Sequence, residues 1–305
     1  MKKLKPLFIF ILVISIGFGA FCFLYPVISN AINEQFNESK INEYNENTDT
    51  LTDAQIQSCF AEAQRYNRAL SEDVSERSEA GVLSQYDDIL NINDGIMGYL
   101  EIPAIDVKLP VYHGETDSVL SKGAGHLEHT SFPIGGESTH ACISAHCGYP
   151  TQKFFDDLDE LENGDEIYIC VLNRTLKYTV TDTDVVEPDD SSKLQVIQGE
   201  DLLTLVTCTP YGINSHRLLV HAERAPYEKS TSDSGTAVSQ IPRNQSDKSK
   251  NHFMLAGFAV FIFVIVRIWL WLRKRRRSRQ RDGQPEDLQN NEPIECCLLD
   301  KTHLM

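Results

Sequence analysis

Two apolar runs and one long polar-to-alternating region organise this chain. Leu7 to Ile28 holds no charged residue and is long enough to cross a hydrocarbon core of about 30 Å at about 1.5 Å per residue. Phe253 to Leu272 is a second apolar stretch, broken by Arg267, which lies within two turns of the basic end and reads as structural. Between them, Ser29 to Thr50 is rich in Asn, Glu and Ser and reads as a hydrated stalk rather than a packed element. A helix is predicted next. Thr52 and Gln55 have capping-box spacing, and Ile56, Cys59, Phe60, Ala63, Tyr66 and Leu70 recur on one face of a 3.6-residue period. Ser71 to Gln85 is polar and reads as a loop.

From Met97 the texture changes to short apolar runs bounded by Gly, Pro, Asn and Asp, which is the pattern of a compact β fold. Strands are predicted at 98–102, 108–112, 141–146, 166–172, 176–181, 202–208 and 217–222, and their regular spacing favours a barrel over βαβ units. A short helix is predicted at Thr151 to Leu161, capped by Thr151, with Phe154, Phe155 and Leu158 facing the core. Residues 226 to 252 are Ser-, Thr- and Asp-rich and read as a linker.

Charge fixes a topology. Lys2, Lys3 and Lys5 precede the first run, and Arg273, Lys274, Arg275, Arg276, Arg277, Arg279 and Arg281 follow the second. The positive-inside rule therefore puts both termini in the cytoplasm and the stretch between the spans outside the membrane. The first run is too long for the apolar region of a cleaved signal peptide and no Ala-X-Ala site closes it, so it reads as a retained anchor. The outer portion carries about 22 net negative charges, a surface that repels nucleic acid. Five of the eight cysteines lie outside, Cys59, Cys142, Cys147, Cys170 and Cys208, so an odd thiol is left over from any disulfide framework.

Candidate chemistry sits at strand ends. Leu202 to Cys208 is an apolar run, Pro210, Gly212 and Asn214 supply a turn, and Arg217 opens the next run, so Cys208 and Arg217 can face a common volume. His146 ends the strand at 141–146, before Cys147-Gly148-Tyr149-Pro150. A thiol is nucleophilic as thiolate, an imidazole can carry its proton, and an arginine offers fixed donors to an oxyanion or a substrate backbone. The alternative for each residue alone is a buried structural cysteine and a surface arginine. A metal site at His140, Cys142 and His146 is disfavoured, because six strand residues separate the two histidines by roughly 20 Å. His126, His129 and His216 read as surface or loop residues, and no cofactor or metal is expected.

The stretch Thr-Leu-Val-Thr-Cys-Thr-Pro-Tyr-Gly-Ile-Asn-Ser-His-Arg-Leu-Leu-Val (204–220) closely resembles the nucleophile strand, loop and arginine strand of class C, pilus-assembling sortases. Met97-Gly-Tyr-Leu-Glu-Ile-Pro-Ala-Ile-Asp-Val, Leu109-Pro-Val-Tyr-His-Gly and Gly125-His-Leu-Glu-His-Thr-Ser-Phe-Pro-Ile-Gly-Gly resemble the same family, over about 90 to 224. The resemblance implies a mainly β fold, a closed eight-stranded sortase-type barrel with a few short helices, preceded by an N-terminal helix and flanked by the two spans. It implies a cysteine transpeptidase of the Gram-positive cell surface: a thiolate attacks the Thr carbonyl of a Leu-Pro-X-Thr-Gly-like sorting signal, and a pilin lysine or a wall-precursor amine resolves the thioester. By resemblance Cys208 is the nucleophile, His146 the acid and base, Arg217 the stabiliser, and Thr207 a substrate-binding neighbour of Cys208. The partners expected are pilins or surface proteins carrying a C-terminal sorting signal, and the membrane, with no nucleic acid.

The domains expected are a cytoplasmic N-terminus (1–6), an anchor (7–28), a stalk, helix and lid-like region (29–90), the catalytic barrel (91–225), a linker (226–252), a span (253–272) and a basic cytoplasmic tail (273–305). Two departures stand out. Cys147 occupies the place where the family has arginine, and the Asp-Pro-aromatic lid motif is missing, since no proline lies between Pro26 and Pro103. The expectation for 71–85 is a weakly occluding segment, with Tyr86 as the one nearby aromatic able to close the groove. The alternatives are a general wall-anchoring sortase, a cysteine protease that releases product to water, and a non-enzymatic surface receptor, which would leave Cys208, His146 and Arg217 without a shared purpose.

Overall fold

The computed structural model describes residues 4–71, 85–227 and Arg267. The chain divides into two compact units, Met1–Asn244 and Gln245–Met305, and of the second only Arg267, in helical conformation, is described. The expected second span and basic tail, nearly all of the linker, and the lid-like stretch 72–84 therefore lie outside the described residues.

Eight strands close into a barrel: β1 (Ile96–Ile102), β2 (Val107–His113), β3 (Ala124–His126), β4 (Thr139–Ser144), β5 (Glu166–Val171), β6 (Arg174–Val186), β7 (Asp201–Thr209) and β8 (His216–Ala225). Their order around the barrel is β1-β2-β3-β4-β7-β8-β6-β5. Pairing is antiparallel except for β2 with β3 and β4 with β7, which run parallel. Period-two alternation explains the wall. Ala141, Ile143 and Ala145, then Leu203 and Leu205, then Leu218, Val220 and Ala222 all join the barrel core. Their neighbours, among them Cys208 and Arg217, therefore occupy the outer face. Seven strands fall where the alternation predicts them. The eighth, β3, is three residues long and includes Gly125, too short to show a period.

The N-terminal helix differs from the expected stalk. α1 runs unbroken from Leu4 to Asp49, through Pro26. Its portion from Leu12 is long and apolar enough, by length and composition, to cross a membrane. The polar half is packed: Asn37, Ile41, Tyr44 and Thr48, three or four residues apart, are buried, and Ile41 and Tyr44 cluster with Ile96, Tyr99, Tyr112 and Cys170 on the outside of the barrel. Tyr44 fastens the contact, its hydroxyl donating to Met97 O (3.0 Å) and accepting from Leu172 N (2.8 Å). A stripe one side chain wide is enough to bury a helix that is polar on average.

α2 (Asp53–Ser71) starts on the expected capping box, with Thr52 N donating to Gln55 Oε1 (2.9 Å) and Gln55 N to Thr52 Oγ1 (3.3 Å). Ile56, Phe60, Ala63 and Tyr66 are buried as predicted. The helix expected at 151–161 is a turn ending in a single 3-10 turn, Leu158–Glu160. Asp156 explains the difference. Its carboxylate accepts from Gly148 N (3.0 Å) and Phe154 N (2.9 Å), folding the segment back on the preceding loop, while Lys153 N and Phe155 N are bonded to Asn30 and His146 O. Phe154, Phe155 and Leu158 nevertheless reach the core.

Candidate active site

Register alone sets Cys208 between two partners. On one side it is the Cα partner of Arg217 in the antiparallel β7–β8 pair, so both side chains leave the sheet on the same face. On the other side β4 runs parallel to β7 with Ser144 opposite Val206, and Ala145 N still donates to Val206 O (3.2 Å). His146 lies two residues beyond the end of β4, and extending the β4–β7 register by those two residues points it toward Cys208. Cys208 and Arg217 share the outer face, His146 follows the end of the neighbouring strand, and all three are partly exposed.

Thr207 has a different place from the one expected. It is turned to the inner side of the wall, buried, and its hydroxyl donates to Ala145 O (2.8 Å). In the structure the Thr207 hydroxyl forms a strand-to-strand tie on the opposite face from Cys208.

The loop after His146 is held by stacking and by backbone. Tyr149 stacks on the imidazole (centroids 5.2 Å, planes 9° apart), Phe154 meets it edge-on, and Phe155 N donates to His146 O (3.0 Å). Gly148 has φ +76°, and a Cβ there would come within 3.2 Å of the Tyr211 ring, which crosses from the loop after Cys208. Glycine is needed at 148 on both counts. Arg217 turns its Nη1 back on its own loop, toward His216 O (3.2 Å) and Asn214 O (3.5 Å). Burial, followed by the carboxylates of Asp156 and Asp159, pushes the Cys147 thiol up to about 11, so this neighbour stays protonated at neutral pH. All six described cysteines, Cys22, Cys59, Cys142, Cys147, Cys170 and Cys208, carry free thiols.

Two histidine features escape a sequence reading. His126 was expected at the surface, yet it is fully buried: Tyr86 and Phe132 flank it, Tyr86 Oη lies 2.9 Å from Nδ1, and Nε2 lies 2.8 Å from Ser131 O. Burial holds its pKa down to about 4. This also places Tyr86, itself buried, in the core rather than over the nucleophile. Farther along the same outer face, Thr204 Oγ1 joins His140 Nε2 (2.7 Å) and His221 Nδ1 (2.8 Å), and His221 Nε2 lies 3.3 Å from Asp184. Among the described residues no cluster of metal-ligating side chains is present.

A closed barrel that pairs a cysteine with an arginine across two strands, with a histidine just past the end of the next strand, fits a cysteine-based acyl-transfer scaffold. Residues 100–225 match the Sortase domain family. Sortase C1 of Streptococcus agalactiae is 40% identical, with a TM-score of 0.58 over 62% of this chain and 100% of that one. A sortase C of Clostridium perfringens, solved with the C-terminal cell wall sorting motif, is 41% identical, with a TM-score of 0.56 over 62% of this chain and 99% of that one. Sortase A of Streptococcus agalactiae serotype III (strain NEM316) is 30% identical over 131 residues, 42% of this chain and 52% of that protein. Sortase D of Bacillus subtilis (strain 168) is 29% identical over 130 residues, 42% of this chain and 63% of that protein. The match thus spans between half and two thirds of these curated relatives. The chain belongs to the sortase family, and its solved neighbours are class C enzymes.

Proposed function

We propose that this chain is a membrane-anchored cysteine transpeptidase that joins pilin subunits on the outer surface of a Gram-positive cell. The observation that carries the reading is the Cys208–Arg217 pairing across β7 and β8, with His146 two residues past the end of β4, the strand on the other side of β7. The Cys208 thiolate attacks the Thr carbonyl carbon of a Leu-Pro-X-Thr-Gly-like signal. Arg217 swings from its loop carbonyls to donate to the oxyanion. As the C–N bond breaks, protonated His146 gives its proton to the departing glycine amine, leaving a thioester and neutral imidazole. A lysine amine of the next pilin attacks the thioester, His146 takes the proton, and the Cys208 thiolate leaves, so one isopeptide bond replaces one peptide bond. Thr207 acts through the backbone it holds.

Membrane anchoring rests on the apolar part of α1, and a second span at 253–272 and the topology rest on the sequence. Pilin joining is favoured over general wall anchoring because the class C structures quoted reach 40% and 41% identity, against 30% for the Sortase A relative. Mass spectrometry after incubation with a sorting peptide tests the chemistry. An acyl adduct is expected on the wild type and none on Cys208→Ala, and equal adduct on both would remove Cys208 from the mechanism. Adding a pilin-lysine peptide should raise turnover and appear in the product, whereas a product released only to water would make the enzyme a protease.

A further inference from the structure

The turn of α1 just beyond its apolar run is bonded to the loop that carries His146. Ser29 Oγ and Asn33 Nδ2 both donate to Thr151 O (2.9 and 2.7 Å), and Lys153 N donates to Asn30 Oδ1 (2.9 Å). From Lys153 the chain takes two residues to Phe155, whose N–H is bonded to His146 O. His146 O is therefore no more than about 13 Å from the side chain of Asn30.

An adjacent face of the same turns is apolar and uncovered. Ile28, Ile32 and Phe36, spaced by four, are 54%, 61% and 47% exposed and continue the bare apolar surface of Leu12 to Val27. A stripe continuous with a membrane span suits the interfacial layer of the same bilayer. One face of residues 28–36 thus suits lipid while the face next to it grips the histidine loop. A single unbroken helix joins the two, so the distance is rigid rather than set by a tether.

We propose that Ser29, Asn30 and Asn33 are positioning residues that lock the His146 loop to α1 at a fixed, short height above the bilayer, so that the enzyme favours a substrate whose scissile bond lies equally close to its own membrane anchor. The inference rests on the transpeptidase reading above. A substrate held in the same bilayer at matching height reaches Cys208 at high effective concentration, and one on a long spacer is diluted as roughly the −3/2 power of spacer length.

The full chain in phosphatidylcholine vesicles tests this with sorting peptides fused to one apolar span through Gly/Ser spacers of about four to about thirty residues. Turnover is expected to peak at short spacers and fall about tenfold across the series. Inserting seven helical residues between Ile28 and Ser29 lifts the barrel by about 10 Å and turns it by only about 20°. That variant should shift the optimum outward by roughly three extended residues while processing a span-free peptide as the wild type does. A flat wild-type series, or an optimum that the insertion does not move, overturns the proposal. If the insertion variant loses the span-free peptide as well, the wild-type series decides alone. The tie is tested separately by S29A/N33A, expected to lower kcat several-fold on the span-free peptide with KM and the melting temperature held, with S29T retaining kcat. Wild-type kcat in S29A/N33A would remove the positioning role. Absence of any acyl-enzyme on Cys208 with the span-free peptide would instead fail the transpeptidase reading itself.

Discussion

Thr207 Oγ1 donates a 2.8 Å hydrogen bond to Ala145 O, so the residue before the proposed nucleophile holds the residue before the proposed base. It is a link between residues 62 apart in sequence, from β7 to the end of β4, made on the face opposite the proposed nucleophile.

Thr207→Val keeps the shape and removes the donor, leaving the carbonyl of Ala145 without its side-chain partner in a buried setting. A stability loss of about 1–3 kcal/mol is expected. Acylation should slow about tenfold or more because His146 loses its register against Cys208. Denaturant titration and the acylation burst read the two effects. Normal acylation in a destabilised Thr207→Val enzyme would make the bond purely structural.

Arg217→Lys replaces a planar fork by a flexible point charge and should cost on the order of 100-fold in kcat/KM, comparable to losing one oxyanion donor. Steady-state kinetics on a sorting peptide decide it, and turnover near wild type would leave Arg217 a structural role only.

Among the histidines near the candidate site, His146→Ala should abolish nearly all turnover, while His216→Ala should keep a substantial part. His216 is engaged with Ser215 and Glu187 at the loop edge, away from the register of Cys208. Similar losses in both variants would mean that the proton carrier is misassigned.

His126 predicts a pH dependence of stability. The unfolded chain takes up its proton near 6.5, and the folded chain takes it up only near 4. Between those values the unfolded state binds more protons, so stability falls as the pH falls, and the slope vanishes below about 4. About 2 kcal/mol should be lost between pH 7 and pH 5. His140 and His221, also depressed by burial, add in the same direction. Chemical denaturation across this range should show a smaller slope in His126→Asn, and an equal slope would exonerate His126.

Period-two alternation and turn residues were enough to place seven strands, because a barrel wall imposes one rule at every position. β3 carries too few residues to show that rule. α1 misled composition, since Asn37 and Thr48 are polar yet lie in the buried stripe with Ile41 and Tyr44. The turn at 151–161 shows the limit of helical periodicity, as one side chain, Asp156, redirects the local amides. At the candidate site, the facing positions of Cys208 and Arg217 at the ends of β7 and β8 were legible from the apolar runs and turn residues. The inward turn of Thr207, the stacking of Tyr149 and the grip of Ser29 and Asn33 were not, because each depends on a partner distant in sequence.

The two sides of Cys208 also differ in how they come into being. Arg217 arrives through a local hairpin, which closes a short loop. His146 arrives only through the parallel β4–β7 pairing, which must close a loop of some 60 residues and is late and slow for entropic reasons. On the proposed assignment, a chain in which β7 and β8 have paired before β4 joins them holds Cys208 beside Arg217 but without His146, so the thiol's reactivity would belong to the finished topology and chain order itself would disfavour premature acylation.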